Sequence, residues 1–358
     1  MPASWAPFAA GDNVSSLVKA MTVLVTGATG FIGSYLVADL ISKGVNVVAV
    51  VRDSKKLSPA YRDKIRFITC DLRDSAALRA RLDALRKKEP VSSIVHLAGL
   101  TDFYASYKKL FQANVVPTRL LLSWCESAGI GKFIFASSIE SVGPLTSKDI
   151  PAGEDIEPMP VSAYGLSKLA AERHINDYSA QKPSTPKTLI LRIGNVYGPG
   201  SGFLVPAIAR AIEKRSPLVR WRSLWGEFIY NPIFVADVTN FITSLVLQDS
   251  EHSGIYNVCG GVSLKLEELY KTIADCIQKE LPQGNAPVFA EYFLMLKKYL
   301  FKTVGLCDTP TYFLAGAKGR NHRFFSIDKI RSEFGFAPLT SLEEGILRTL
   351  NVNGNAGK

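Results

Sequence analysis

Tyr164 and Lys168 are the residues of this sequence best suited to moving a proton, because in SAYGLSK they stand four apart and share a face of any helix built there. An ammonium beside a phenol stabilises the phenolate and draws its pKa from about 10 toward the working range, which makes Tyr164 a general acid or base. Lys168 has a second use, holding ribose hydroxyls. Ser138 completes the constellation from the end of an apolar run, Lys132–Ala136 followed by Ser137-Ser138. The same spacing also decorates ordinary solvated helices, so its meaning depends on what precedes it in the chain.

What precedes it is TGATGFIG, Thr26–Gly33, between the apolar run Met21–Val25 and a helix-like segment beginning near Phe31. Strand, tight turn and helix together make an anion cradle, because the first helical N–H groups have no partners inside the helix. Gly27, Gly30 and Gly33 are spaced GxxGxxG, with Thr29, Phe31 and Ile32 supplying backbone between and beside them. The expected anion is a dinucleotide pyrophosphate. Arg52 follows Gly33 by nineteen residues, at the end of the second apolar run. An acidic residue there suits ribose hydroxyls, whereas the planar fork of an arginine suits a 2′-phosphate, with Lys55 or Lys56 adding charge. NADP is therefore expected, with NAD as the alternative if Asp53 is the ribose ligand. Asp71 and Leu72 stand where a carboxylate could reach an adenine amino group; capping the next turn is the other reading of Asp71.

These groups need a scaffold, and the hydrophobic pattern describes one. Strands are expected at Met21–Val25, Val45–Val51, Ile65–Cys70, Ser93–Leu97, Lys132–Ala136 and Thr188–Ile193. Helices are expected at Phe31–Ser42, Ser75–Lys88 (Ala77, Leu78, Leu82 and Leu85 inward), Leu110–Ala128 and Tyr164–Ser179. Continuous β-branched strands alternating with helices give an α/β doubly wound parallel sheet, a Rossmann architecture with its crevice at the carboxyl ends of the strands.

Composition narrows the function classes. The chain has 358 residues, 47% apolar and 21% charged, enough for a sizeable core and for two lobes. The net charge of +10 fits either solubility or an anionic ligand. No basic stripe interleaved with aromatics suggests nucleic acid. Cys70, Cys125, Cys259, Cys276 and Cys307 are odd in number and widely spaced, pointing to reduced thiols and a cytoplasmic setting. His96, His174, His252 and His322 lack metal-ligand spacing, so no metal is expected. Residues 1–20 carry neither a basic n-region nor a continuous apolar core and read as a short extension.

TGATGFIG, HLAG at His96–Gly99, FASSIESVG at Phe135–Gly143, YGLSK and LRIGNVYGPG at Leu191–Gly200 together resemble the extended short-chain dehydrogenase/reductase family. NPIFVADV, GIYNVCGG and FSIDKIRSEFGFAPLTSLEEGI resemble its closing segments. The resemblance implies that Tyr164 exchanges a proton with substrate oxygen, Lys168 tunes it and binds ribose, and Ser138 orients the substrate. It also implies Leu97, Ala98 and Gly99 at the cofactor, and Glu140, Asn195 and Tyr230 at a small-molecule substrate. Asn114 would support Lys168 through a water, or else serve as a buried amide satisfying backbone groups. The expected division is a Rossmann domain at 21–193 and 228–262, with a substrate lobe at 194–227 and 263–358. A homodimer is typical of the family.

Departures from the family pattern bear on the branch. Dehydratases of the family carry an acid–glutamate pair after the active-site hydroxyl, but here Ser138 is followed by Ile139 and Glu140. Many sugar-nucleotide enzymes place an arginine where this chain has Tyr230 or Asn231. Arg210, Lys214, Arg215, Arg220 and Arg222 are nearby substitutes, or an ordinary solvated face. In 288–306, Phe289, Phe293, Leu296 and Leu300 share a helical face with Lys297, Lys298 and Lys302 alongside, resembling the insertion of hydroxysteroid-dehydrogenase-like and dihydroflavonol-reductase-like members. Core packing is the default reading of this face, with a lid or a membrane-surface helix as alternatives. The expectation is an NADP(H)-dependent oxidoreductase of a secondary alcohol and ketone. A nucleotide-sugar epimerase, less so a dehydratase, is the alternative; a non-catalytic dinucleotide-binding scaffold is a third.

Overall fold

The computed structural model describes residues 21–182, 186–220, 228–249, 251–282 and 322–351. The extension at 1–20, Arg222, the amphipathic stretch at 288–306 and Cys307 lie outside the described residues.

Seven parallel strands form the central sheet. They are β1 Thr22–Thr26, β2 Asn46–Val51, β3 Arg66–Thr69, β4 Ser93–His96, β5 Lys132–Ser138, β6 Lys187–Ile193 and, after the three short strands β7 Val196–Tyr197, β8 Ile229–Tyr230 and β9 Ile233–Phe234, β10 Gly254–Val258. Their order is β10-β6-β5-β4-β1-β2-β3. The chain therefore winds outward one way from β1 to β3 and the other way from β4 to β10, and the direction reverses between β1 and β4. A crevice opens at that reversal, outside the strands' carboxyl ends. The register there pairs Thr26 with His96.

Alternate residues of the inner strands feed opposite faces, as the two-residue period requires. Val23 and Val25 join a core with helix α1 (Phe31–Ser42), while Leu24 joins the opposite core with helix α2 (Ser75–Arg86). Helices on both faces explain why these strands read as continuous apolar runs. A third apolar cluster gathers Tyr197, Ile208, Phe234, Ile273 and Ile346.

The single helix expected over Leu110–Ala128 is two: α3 Tyr107–Asn114 and α4 Val116–Ser127. Pro117 sits in the first turn of α4, and having no N–H it cannot continue the ladder back to Ala113. Asn114 is thereby left at the last position of α3. The long helix α5 runs Ala163–Gln181 and starts with the Ser162 hydroxyl accepting the Gly165 N–H at 2.9 Å. Helices α6 (Val205–Glu213), α7 (Val235–Leu247), α8 (Leu266–Cys276), α9 (Asp328–Phe334) and α10 (Leu342–Leu350) complete the larger elements. Among the described residues, no helix is long and apolar enough to cross a membrane.

Candidate active site

The glycine turn is built by close approach. Gly27 holds a φ of 77°, and a Cβ on it would lie 2.7 Å from the Ala98 nitrogen. A Cβ on Gly33 would lie 2.0 Å from the Gly27 oxygen, so α1 presses directly onto the turn. Gly30 caps α1 with no side-chain hydrogen bond, and no acidic residue occupies the first turn. The amides of Phe31, Ile32 and Gly33 therefore face the crevice side without a capping side chain, a cradle whose dipole and donors fit a pyrophosphate. Thr29 and Gly30 are exposed at its lip, and Leu97 and Ala98 are half-buried across it.

Behind the turn runs a hydrogen-bonded relay that fixes a tautomer. The Ala98 N–H donates to Thr26 Oγ1 (3.2 Å), which lies 2.6 Å from His96 Nδ1. His96 Nε2 lies 3.0 Å from Thr118 Oγ1, whose proton goes to the Asn114 carbonyl at 2.6 Å. Thr118 must therefore accept from His96, placing the imidazole proton on Nε2 and making Nδ1 the acceptor for Thr26. Full burial, then the charge of Lys168, lowers the His96 pKa to about 3, so the ring is neutral.

One stripe of α5 gathers the residues expected to transfer the proton. Tyr164, Lys168 and Glu172 stand at i, i+4 and i+8, all buried, and each meets a different residue at the end of β5. Tyr164 is hydrogen-bonded with Ser138; Lys168 Nζ donates to the Ala136 carbonyl at 2.7 Å; Glu172 accepts from Ser137. Glu172 also takes Ser141 Oγ at 2.6 Å and Arg192 Nη2 at 2.9 Å, a saturated carboxylate in the interior. The spacing that identifies Tyr164 and Lys168 extends one step to Glu172, a signal in the sequence that points at a chemical site and not at this anchoring role.

The electrostatics differ from the simple expectation for a phenol beside an ammonium. Burial pushes the Tyr164 pKa well above its ordinary value; the Ser138 hydrogen bond works against this and the Glu140 charge adds to it. Burial also lowers the Lys168 pKa to about 8, opposed by Glu172. Lys168 Nζ is bonded to a β5 carbonyl and lies 4.8 Å from the centre of the Phe135 ring, contacts that favour the ammonium, and the loss of solvation on full burial outweighs them.

Other expected residues divide between this cluster and elsewhere. Asn114 Oδ1 accepts the Leu100 N–H at 2.6 Å, and its Nδ2 donates to Leu100 O and Ser167 Oγ. Its amide thus satisfies backbone groups. A Cβ on Gly99 would lie 3.3 Å from both Asn114 Oδ1 and Lys168 Nζ, so the three converge. Phe103 meets the Tyr164 ring edge-on at 5.1 Å. Glu140 is buried close enough for its charge to act on the phenol and is ion-paired with Arg323 at 2.9 Å, and Tyr230 is buried next to that pair. Asn231, in contrast, spends its amide on Gly260 and Phe325 backbone. Asn195 is half-buried and its carbonyl accepts the Ile233 N–H. Arg52 is exposed at the end of β2. Asp71 caps its turn through the Arg73 N–H and is clamped by the Arg73 guanidinium, which with a smaller contribution from Arg52 brings its pKa to about 2. Leu72 packs half-buried against the α2-side core. Arg323, absent from the expected set, lies in no recognisable motif.

A family model for the NAD dependent epimerase/dehydratase family matches residues 23–259. The chain belongs to this family. Within the extended short-chain dehydrogenase/reductase enzymes, this epimerase/dehydratase-family chain is 36% identical to a UDP-glucose 4-epimerase of Erwinia amylovora, over 50% of this chain and 54% of that one. It is 27% identical to a 2-alkyl-3-oxoalkanoate reductase of Stenotrophomonas maltophilia (strain K279a), over 92% of this chain and 98% of that one. The chain thus spans about half of the first relative and nearly all of the second. The Bordetella bronchiseptica enzyme WbmG, solved in complex with NAD, shares the fold with a TM-score of 0.71 at 19% identity, covering 92% of this chain and 93% of that one.

Proposed function

We propose that this family member is an NADP(H)-dependent oxidoreductase that interconverts a secondary alcohol and a ketone. The observation that carries the reading is the Tyr164 phenol, buried, bonded with Ser138 and one helical turn from Lys168 at the carboxyl end of β5. A bound dinucleotide would supply the hydride. Tyr164 holds the proton that a ketone oxygen needs as it becomes an alcohol, Ser138 offers that oxygen a second hydrogen bond, and Lys168 supplies positive charge. The raised phenol pKa keeps Tyr164 protonated, the state from which a ketone oxygen can take its proton.

Two observations favour this over dehydration or epimerisation. Glu140 is held in a buried ion pair with Arg323, so it is no free acid for expelling a hydroxyl. The match that spans both chains is to a reductase, whereas the epimerase match covers about half of each. That relative makes 2-alkyl-3-oxoalkanoates the substrate class to try first. Arg52, exposed at the end of β2 with a planar fork that suits a 2′-phosphate, supports NADP over the NAD seen with WbmG.

The second reading, a nucleotide-sugar epimerase, draws on the 36% identity to the UDP-glucose 4-epimerase. Oxidation of NADPH at 340 nm with a panel of 3-oxoalkanoates and apolar ketones, beside a UDP-glucose epimerisation assay, separates the two. Ketone-dependent NADPH oxidation is the expected result. Epimerisation of UDP-glucose without net NADPH consumption would overturn it.

A further inference from the structure

The charged pair that keeps Glu140 from acting as an acid has no part in the proton transfer described so far. Glu140 lies in the 3-10 turn Ile139–Ser141 that follows β5, and Arg323 lies 183 positions later, just before α9. Arg323 Nε donates to Glu140 Oε1 at 2.9 Å, and both side chains are more than nine-tenths buried. Arg323 is held in place by its backbone, whose N–H donates to the Ile229 carbonyl at 2.8 Å in a bridge beside Tyr230. The Glu140 backbone is locked just as firmly: a Cβ on Gly165, the residue after Tyr164, would lie 2.1 Å from the Glu140 oxygen. Two opposite charges are thus fixed against the catalytic helix, one from the sheet domain's turn and one from the closing segment.

We propose that Arg323 is a positioning residue for the reaction, acting through Glu140: their ion pair sets the local charge that Tyr164 experiences when it gives or takes a proton. The inference rests on Tyr164 being the proton carrier of the proposed oxidoreductase. The groups that act on its phenol are Ser138 and Glu140 from the end of β5 and its turn, with the Phe103 ring against it; Lys168 lies one turn further along α5, and Arg323 and Tyr230 lie beside Glu140. Of these, Glu140 alone opposes phenolate formation by its charge, and Arg323 is the cation bonded to it. Removing the carboxylate leaves an uncompensated guanidinium near the phenol and favours phenolate. Removing the guanidinium leaves the carboxylate and disfavours it. In a poorly hydrated site the two changes must act in opposite directions.

The test needs no substrate, so it stands apart from the identity of the ketone. Phenolate absorbance at 295 nm is titrated in the full chain, and the same titration in a Tyr164→Phe background is subtracted, isolating Tyr164 from the other tyrosines. Glu140→Gln is expected to lower the Tyr164 midpoint by a pH unit or more, and Arg323→Met to raise it or carry it beyond the folded range. Arg323→Lys, which keeps the charge, should titrate close to the parent. The double variant Glu140→Gln/Arg323→Met removes both charges and should fall between the single variants; it also covers the case in which one lone buried charge prevents folding. Identical titrations in all backgrounds, shifts of the same sign, or an Arg323→Lys curve that follows Arg323→Met would overturn the proposal. Failure of the ketone assay with these opposite shifts present would count against the substrate and not against the pair.

Discussion

Burial works against charge on both members of the Tyr164 and Lys168 pair, and a specific neighbour resists it in each case: Ser138 for the phenol, Glu172 for the ammonium. The Lys168 pKa of about 8 lies below its ordinary 10.5, so the ammonium is lost as pH rises through about 8. If Lys168 must be charged for turnover, kcat/KM for ketone reduction should decline above that pH, and Lys168→Arg should move the decline to higher pH or remove it. A pH–rate profile of the two proteins checks this. His96 titrates the other way in its consequence for stability. Its folded pKa of about 3 against an ordinary 6.5 means that the unfolded chain binds the extra proton first, so stability contributed above pH 6.5 is lost as pH falls toward 3. His96→Gln should flatten that fall, measured as urea midpoints at pH 7 and pH 4.5.

At the scale of elements, α5 acts as a ruler laid along the end of β5, touching it at Ser138, at the Ala136 carbonyl and at Ser137. The third contact anchors the other two, because Glu172 is also bonded to Arg192 on β6. Glu172→Gln should leave the Arg192 guanidinium buried without its full counter-charge, at a cost of about 3–5 kcal/mol. The same change removes the charge that holds Lys168 protonated, so the high-pH decline in rate should move to lower pH in the folded fraction. Denaturant unfolding and the pH–rate profile of Glu172→Gln test the two effects separately. Asn114 shows how much an element boundary matters: the break before Pro117 ends α3 at this residue, leaving its amide to bond Leu100 and Ser167.

For the whole molecule, the parts that the sequence makes legible are those governed by local rules. Glycine spacing announces the turn, because only a residue without Cβ fits between Gly27 and Ala98 or Gly33 and Gly27. Two-sided burial announces the parallel strands, and the four-residue step announces Tyr164 and Lys168. The split of α3 from α4 is not legible in the sequence, because a proline in the first turn of a helix is as compatible with continuity of pattern as with a new start. Arg323 was out of reach for a different reason: its partner Glu140 is 183 positions away, and only the folded chain brings opposite charges together under cover. The lowered Lys168 pKa likewise follows from tertiary burial that spacing does not encode.

The central claim is that Tyr164 carries the proton while the glycine turn and its surroundings hold the dinucleotide independently of it. The most direct measurement pairs NADPH titration by fluorescence with single-turnover NADPH oxidation in the Tyr164→Phe variant. Cofactor affinity within about twofold of the parent, with a rate lower by about 10²–10⁴-fold, is the expected result. An undiminished rate, or a collapse of NADPH binding in a folded variant, would contradict it.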